Sequence, residues 1–317
     1  MIDHYKFSVL KVFLWVLGLF FICHNSSPAL ATESAFGRYI PGVFAGPASE
    51  IVPPAPGFYW QNSAFYYQAS AGKSLRVPFG GTLKSDLKIN FFNYALSGIW
   101  VPDWSPADNV NVAIGLTIPL QSLRVKADVS RFSATDHSDG LGDIAITPAI
   151  GWHWGRHMMA ANVSIYMPTG RYRAGDLANI GLNYWTFTPS LAYTYVNPEA
   201  HVDFSVVGGV DINTRNKDTD YRSGALAHVD ATLLGTFDNG LGVGIFGSML
   251  YQIADDKGEL ADRLNGFRGR SFAIGPMIKY SGSGEHGVTV NLNWAPEFNV
   301  KNRLKGDAFY LNVSGRF

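Results

Sequence analysis

Few residues of this chain could do covalent chemistry, and they sit together. His137 and Ser138 lie between Asp136 and Asp139, the residue types of a hydroxyl nucleophile, its base and an orienting carboxylate. A lipid hydrolase would need such a set. The stretch is polar, acidic and turn-like, however, and the His-x-Ser-Asn-Gly strand pattern of barrel lipases is absent. It reads as a solvated loop, and no catalytic residue is assigned. Asp136, Asp139 and Asp143, and further on Asp218 and Asp220, are oxygen ligands of the kind calcium takes. Asp and Gly are also what any exposed turn uses, so they carry no metal assignment. His153 and His157 flank Arg156 with no cysteine or third histidine nearby, which is no zinc set. No cofactor is implied.

The chemistry must therefore lie in how the chain is placed. Lys6 and Lys11 flank or precede an apolar run from Val12 to Cys23, and Ala29-Leu30-Ala31 follows. A basic flank, a short apolar core and a small-x-small site describe a secretory signal peptide, cleaved after Ala31. The run is too short for a membrane helix, which needs about 20 residues. Cys23, the one cysteine, falls inside that peptide, so a disulfide scaffold is excluded. Lys+Arg 25 balance Asp+Glu 25, and no basic excess suggests nucleic acid. Aromatic residues make up 14%, charged residues only 16%, and glycines number 34. Beyond the signal peptide no apolar stretch is long enough for a helical span. That bulk character suits an outer-membrane barrel, with a periplasmic β-sandwich as the competing class.

Period-two alternation decides for the barrel. In the last strand Phe309, Leu311, Val313 and Phe317 share one face, and Tyr310, Asn312, Ser314 and Arg316 the other. The terminal Phe317 resembles the assembly signal read by the barrel assembly machinery. Alternation recurs in about a dozen segments, near 57–71, 87–101, 109–130, 143–155, 157–168, 184–196, 201–213, 223–237, 241–256, 270–282, 286–300 and 307–317. The connections alternate long and short, with 131–142 among the long ones, as an up-and-down membrane barrel requires and a Greek-key sandwich does not. Trp152, Trp154, Tyr193, Tyr195, Phe237 and Tyr280 stand near the short turns, where an interfacial girdle belongs. Pro148, Pro189 and Pro276 interrupt strands, and bulges are expected there. The fold class is all-β, an antiparallel up-and-down transmembrane β-barrel of about twelve strands with short periplasmic turns and longer extracellular loops. The domains are a signal peptide at 1–31, a Gly/Pro-rich lead-in or plug at 32–56, and the barrel at 57–317.

Parity also sorts the lumen. Asn162, Ser164, Tyr166, Asp203, Asp211, His228 and Asp230 should line it on one stretch of wall. Gln252, Lys279, Asn291, Asn293, Asn312 and Arg316 continue that polar wall. Ala113, Gly115, Ala149, Ala192, Gly209, Gly244 and Ala273 face the same way and should leave room for a narrow passage. Leu226, Leu234, Phe246, Leu250 and Met277 add apolar patches. No ladder of one charge sign appears, so strong ion selectivity is not indicated. The lead-in carries Phe36, Tyr39, Ile40, Val43 and Phe44, apolar anchors that a solvated tail would not need. Folded into the lumen, they could meet the apolar patches.

Several short motifs resemble one known family. They are Pro53-Pro54-Ala55-Pro56-Gly57, Gly140-Leu141-Gly142-Asp143-Ile144 entering a strand, and Tyr166-Met167-Pro168-Thr169-Gly170-Arg171-Tyr172 leaving one. The Thr-Pro and Gly-Pro strands and the terminal Phe317 complete the set. Their order resembles the outer-membrane transporters named for the meta-pathway of phenol degradation, over nearly the whole chain beyond residue 31. The resemblance implies a barrel that passes small, often aromatic or apolar, compounds, and it fixes no ligand. The expected function is passive uptake of small, moderately hydrophobic compounds across the outer membrane of a Gram-negative bacterium. The expected partners are outer-membrane lipid, the assembly machinery and the solute. A structural barrel with a closed lumen, binding partners through loops 72–86, 169–183 and 257–269, is the alternative, and a lipid-modifying enzyme a more remote one.

Overall fold

The computed structural model describes residues 37–317 except 72–76, 80–81, 85, 130–131, 263–267 and 283–286. The signal peptide, Phe36 and the turn at Ser283-Gly284 lie outside the described residues. Among the described residues no helix is long and apolar enough to cross a membrane, and strands do the spanning. They are β1 (Gly57–Ala71), β2 (Val77–Phe79), β3 (Thr82–Lys84), β4 (Leu87–Val101) and β5 (Val110–Val129). Then come β6 (Phe132–Leu141), β7 (Ala145–Trp154), β8 (His157–Tyr166), β9 (Thr186–Asn197) and β10 (Val202–Asn213). The last are β11 (Leu226–Thr236), β12 (Leu241–Gln252), β13 (Arg270–Ser281), β14 (Thr289–Lys301) and β15 (Lys305–Arg316). β2 and β3 form a small separate hairpin, and α1 (Glu259–Asp262) is one turn long.

The ring runs β1, β4, β5 and then β7 through β15 in order, all antiparallel, and closes where β15 pairs with β1. This is a closed twelve-stranded barrel with β6 as an additional strand. Closure leaves no open edge in the hydrocarbon, where an unpaired backbone group would be costly. The side chains divide as period two demands. Leu191 and Ile245 are 63% and 56% exposed on the outside, while Thr186 and Asp230 are 0% and 1% exposed on the inside. Both ends of the barrel sequence, Gly57 and Arg316, lie at the rim with the tight turns, which is the periplasmic rim of such barrels. Trp154, Phe237 and Tyr280 are exposed at that rim, joined by the Phe58–Trp100 stack at 6.3 Å.

Three expectations need correction. Most of the loop expected at 131–142 is strand: Phe132–Leu141 is β6, paired with the upper half of β5 from Leu120 to Val129. The lower half of β5 pairs with β7, so β6 and β7 are one descending strand broken at 142–144. Second, the prolines do not make bulges. The registers run unshifted past Pro148, Pro189 and Pro276, whose rings point outward, and the irregularity lies instead between Arg270 and Phe272. A strand amide points at one neighbour only, so proline removes a single rung and the rest of the ladder holds the register. Third, the connection between β14 and β15 spans only 302–304, so the alternation of loop lengths fails at the last extracellular loop.

Candidate functional site

The lumen is occupied. The lead-in descends through it from Gly37, near the extracellular end, to Pro56 at the periplasmic rim. Prolines at 41, 47, 53, 54 and 56 deny it regular structure, so its backbone polar groups must find partners elsewhere. Short turns satisfy some of them, with Val43 N donating to Ile40 O and Ile51 N to Ala48 O. The wall satisfies others. Asn162 Nδ2 donates to Glu50 O at 3.0 Å, Ser205 Oγ accepts from Ala48 N at 3.0 Å, and Arg316 donates to Pro56 O at 2.7 Å. Asn291 and Asn293 reach the carbonyls of Ala45 and Gly42, both at 3.4 Å.

Asp230 is the central anchor. It accepts from the Tyr39 hydroxyl at 2.8 Å and from Gly42 N at 3.1 Å, with Ser248 Oγ beside both. Gly42 adopts φ 94° there, and a Cβ would meet Ala295, Phe246 and Tyr310 at 3.1–3.2 Å, so glycine is required. Tyr39, His228 and Phe44 stack, with the first two ring centroids 4.3 Å apart. Tyr39 packs with Leu226 and Leu250, while Ile40 and Ala45 join a cluster containing Leu234, Phe246 and Met277. Val43 is half-buried at the edge of both clusters, and Phe44 at the edge of the Tyr39 cluster. Dispersion and area burial hold these anchors, about 1.5–3 kcal/mol for each fully buried large side chain.

A latch closes the upper end. Arg38 donates to Asp143 Oδ2 at 2.5 Å, to Thr186 Oγ1 at 3.1 Å and to Tyr184 O at 2.9 Å, under the ring of Tyr166. Asp143 also accepts from Gly170 N at 2.7 Å and Leu182 N at 2.9 Å. One carboxylate thus ties the lead-in to the 167–185 loop. The loop, in turn, builds the break between β6 and β7: Ile144 N donates to Thr169 Oγ1, and that hydroxyl donates to Gly142 O. Ala178 and Ile180 on the same loop are buried against Leu87, Ile89, Leu123 and Val125, so the loop caps the mouth. The two glycine-bearing motifs, around 140–144 and 166–172, meet here. Near by, Glu297 accepts from Tyr67 Oη and Ser271 Oγ, both at 2.8 Å, and Arg303 reaches Tyr39 O at 3.3 Å. Parity could have found Glu297, whereas Arg38 and Arg303 carry no local signal.

What the lead-in leaves free is a cavity of about 940 Å³. It lies mainly against β1, β4, β5, β7 and β8, where Ser63, Ala95, Ser97, Ala113, Gly115, Thr117 and Ala149 give it room between larger neighbours such as Phe65, Phe91 and Tyr166. At the periplasmic end it reaches Asp203, Lys279, Asn312 and Arg316. Asp203 and Lys279 pair there at 2.6 Å, beside Arg316. Ser164 bonds Thr147 across the wall at 2.9 Å, and Asp211 accepts from Thr188 at 2.7 Å. Gln252 is fully buried and donates to Asp256 in the extracellular loop. The other small residues do not widen a passage. Gly209 makes room for the His228 ring, 2.8 Å from where its Cβ would sit. Gly244 is where strands approach so closely that a Cβ would lie 2.0 Å from Leu233 O. Ala192 and Ala273 pack in clusters that include Val52 and Ile40 of the lead-in.

The residues first weighed for covalent chemistry are apart. His137 is exposed and pairs with Asp139 at 3.0 Å, while Ser138 is buried on the opposite face of β6. Asp136 caps the amides of Leu177 and Ala178, and Asp220 pairs with Arg215 at 2.6 Å. His157 bonds the Tyr193 hydroxyl at 2.8 Å. Among the described residues no three His, Cys, Asp or Glu converge as metal ligands. Phe309, Leu311 and Phe317 are exposed on the outer face of β15 at 55%, 39% and 76%, with Val313 on the same parity. Phe317 N donates to Phe58 O at 3.0 Å, so the last residue lies on the closing seam.

A family model described as "Putative MetA-pathway of phenol degradation" matches residues 69–313. No curated protein matches the sequence. Among solved structures, the COG4313 outer membrane channel from Pseudomonas putida F1 aligns with a TM-score of 0.64 at 17% identity, covering 88% of this chain and 100% of that one. A Pseudomonas aeruginosa FadL homologue aligns at 12% identity with a TM-score of 0.47, covering 92% and 100%. The translocator domain of the autotransporter NalP from Neisseria meningitidis aligns at 10% and 0.44, covering 83% and 89%. At such identities the likeness is one of fold.

Proposed function

The chain belongs to this phenol-degradation family, and from that premise we propose that it is an outer-membrane channel for passive uptake of small, moderately hydrophobic solutes, aromatic ones among them. The observation that carries this reading is the cavity wall. Alanines, glycine and short hydroxyl side chains give it width without charge, and its volume is that of a small-molecule site. Of the charged groups that line it, Arg38 pairs with Asp143 and Asp203 with Lys279, and Glu50 and Arg316 add one of each sign, so no field favours ions of either sign. Export through a signal peptide and insertion into the outer membrane by the assembly machinery belong to the same reading.

The cap and the lead-in favour a lumen that rests nearly closed. A solute would follow the small-residue wall beside the lead-in, and the lead-in would limit its size. Liposome uptake across a panel of aromatic, aliphatic and sugar solutes tests this. The expected order is aromatic and aliphatic above sugar. Removal of residues 32–52 should raise single-channel conductance without harming assembly. Equal exclusion of every solute, with and without the lead-in, would refute the channel and favour a closed structural barrel.

A further inference from the structure

Under the cap, the cavity wall changes character around the ring. Tyr310 is opposite Phe65, Phe65 opposite Asn93 and Asn93 opposite Gln121, on β15, β1, β4 and β5, which are consecutive in the ring. All four point inward and line the cavity. Direct opposition sets such residues about 4.5–5.5 Å apart, so they form one row. Half of the row is aromatic and half is amide. In the row above, Tyr67, Phe91 and Leu123 are buried in one cluster with Ile180 of the cap. In the row below, Ser63 and Ala95 are small. The row therefore has a ceiling and an open floor.

The aromatic half has one ring to offer. Phe65 stands 5.5 Å from Phe91, edge to face, and 5.4 Å from Tyr310. Phe91 and Tyr310 are buried, and the Tyr310 hydroxyl donates to Pro41 O at 3.0 Å. Phe65 alone of the three is half-buried, with a face left to the cavity. The amide half has unequal ends. Gln121 Nε2 donates to Asn93 Oδ1 at 2.9 Å. Gln121 Oε1 is enclosed against Gly142, 2.4 Å from where a Cβ would sit. Asn93 is buried too, and its Nδ2 has no acceptor among the described residues. A buried donor without a partner is costly, and an acceptor on a solute would remove that cost. No charged residue belongs to these three rows, so the acceptor is neutral. A hydroxyl would bring a donor of its own, whereas one amide oxygen of the row is enclosed and the other already accepts. We propose that this row is a binding subsite for neutral aryl carbonyl compounds, the ring lying on Phe65 and the carbonyl oxygen accepting from Asn93 Nδ2. The subsite rests on the channel reading and gives the channel an orientation and a preference among aromatic solutes.

The test measures binding apart from passage. The full barrel is refolded into phosphatidylcholine vesicles and equilibrated with acetophenone and with ethylbenzene, which share a ring and a size and differ in the carbonyl. Retention above that of empty vesicles gives the binding. Comparing the acetophenone-to-ethylbenzene ratio between variants cancels the different solubilities of the two solutes. Asn93→Leu with Gln121→Leu, which leaves no amide unpaired, should lower that ratio about five- to tenfold, the worth of one net hydrogen bond. Asn93→Asp, which keeps the acceptor for Gln121 and removes the donor, should lower it as well. Phe65→Leu should weaken both aromatic solutes and spare cyclohexyl methyl ketone. The heat-modifiable band reports that each variant is folded. A ratio that neither Asn93 variant moves, or a Phe65→Leu effect as large on the cyclohexyl ketone, would overturn the proposal. Passage is followed in the same vesicles. Acetophenone held through Asn93 that never crosses would refute the channel and leave the subsite standing, whereas crossing with a ratio indifferent to Asn93 would refute the subsite and leave the channel.

Discussion

Replacing Asp143 by Asn removes one charge and hardly changes the shape of the side chain. Its partners then lose what they share. Arg38 is 8% exposed and Asp143 1%, so the guanidinium would be left buried beside a neutral amide. Breaking a buried pair by removing one partner costs about 3–5 kcal/mol. The amide also presents N–H groups where either Gly170 N or Leu182 N now donates, leaving one of those amides without an acceptor, about 1–3 kcal/mol more. The barrel need not unfold to escape this cost, because the 167–185 loop and the top of the lead-in can swing into water. Even about 3 kcal/mol shifts that opening equilibrium roughly 150-fold. Hydrogen exchange should therefore quicken in two places far apart in sequence, 168–184 and 37–46, while the strands stay protected. Adding Arg38→Gln should restore part of the loss, since the unpaired charge is then gone. Unchanged exchange in both segments, or additive effects of the two substitutions, would refute the latch.

Deleting Phe317 should leave an exported chain that fails to fold, because the outer face and last backbone bond of the closing strand end there; loss of the heat-modifiable band reads it. Leu191, 63% exposed in the middle of β9, should tolerate Phe, whereas Lys there should cost about 2–4 kcal/mol in urea unfolding from vesicles. In the extracellular loops, burial pushes the Asp256 carboxyl up to about 6 from its ordinary 3.8, although Gly224 N and Gln252 Nε2 donate to it at 2.6 Å. A raised acid pKa favours the protonated folded form, so this stabilisation is full below pH 3.8 and is lost as pH rises through about 6. Exchange in 214–225 and 253–262 should thus be slower near about pH 4 than near about pH 7.5 after correction for intrinsic rates, and Asp256→Asn should flatten the difference.

The barrel was legible because lipid on one side and a filled lumen on the other enforce period two. β5 shows where that signal stops. Within the membrane Ile114, Leu116, Ile118 and Leu120 alternate with small residues, and the pattern is plain. β6 lies above the lipid, so neither of its faces must be greasy, and Ser133 to Gly140 read as a loop. Small inward residues were legible as small but ambiguous in purpose. Gly115 leaves space, Gly209 admits a histidine ring, and Gly244 lets two strands close on each other. Only the partner distinguishes these. The latch had no sequence signal at all, since Arg38 and Asp143 are 105 residues apart and neither is locally unusual.

How the lead-in is held decides what it can do. Its upper apolar anchors, Tyr39 and Ile40, and the Asp230 carboxylate that binds it lie against β11 to β14, and these contacts are buried. Apart from the Arg38 latch, its other polar contacts are single hydrogen bonds to backbone groups, which water can replace at little net cost. Toward β1, β4 and β5 it leaves the cavity along much of its length, and packs only lower down, where Val52 meets Val101 and Ala113. A solute therefore needs no displacement of the anchored side. It needs the cap to lift from the upper end and the looser turns around 46–50 to give way below. Arg38–Asp143 bears on the first step, because it joins cap and lead-in through one carboxylate. The polar bonds of Asn162 and Ser205 bear on the second. Small neutral solutes suit such a route, since they compete with none of these charged contacts. A charged solute would have to displace Arg38 from Asp143 or Lys279 from Asp203 and leave a buried partner uncompensated. On the proposed channel reading, selection against charge would follow from these two pairs.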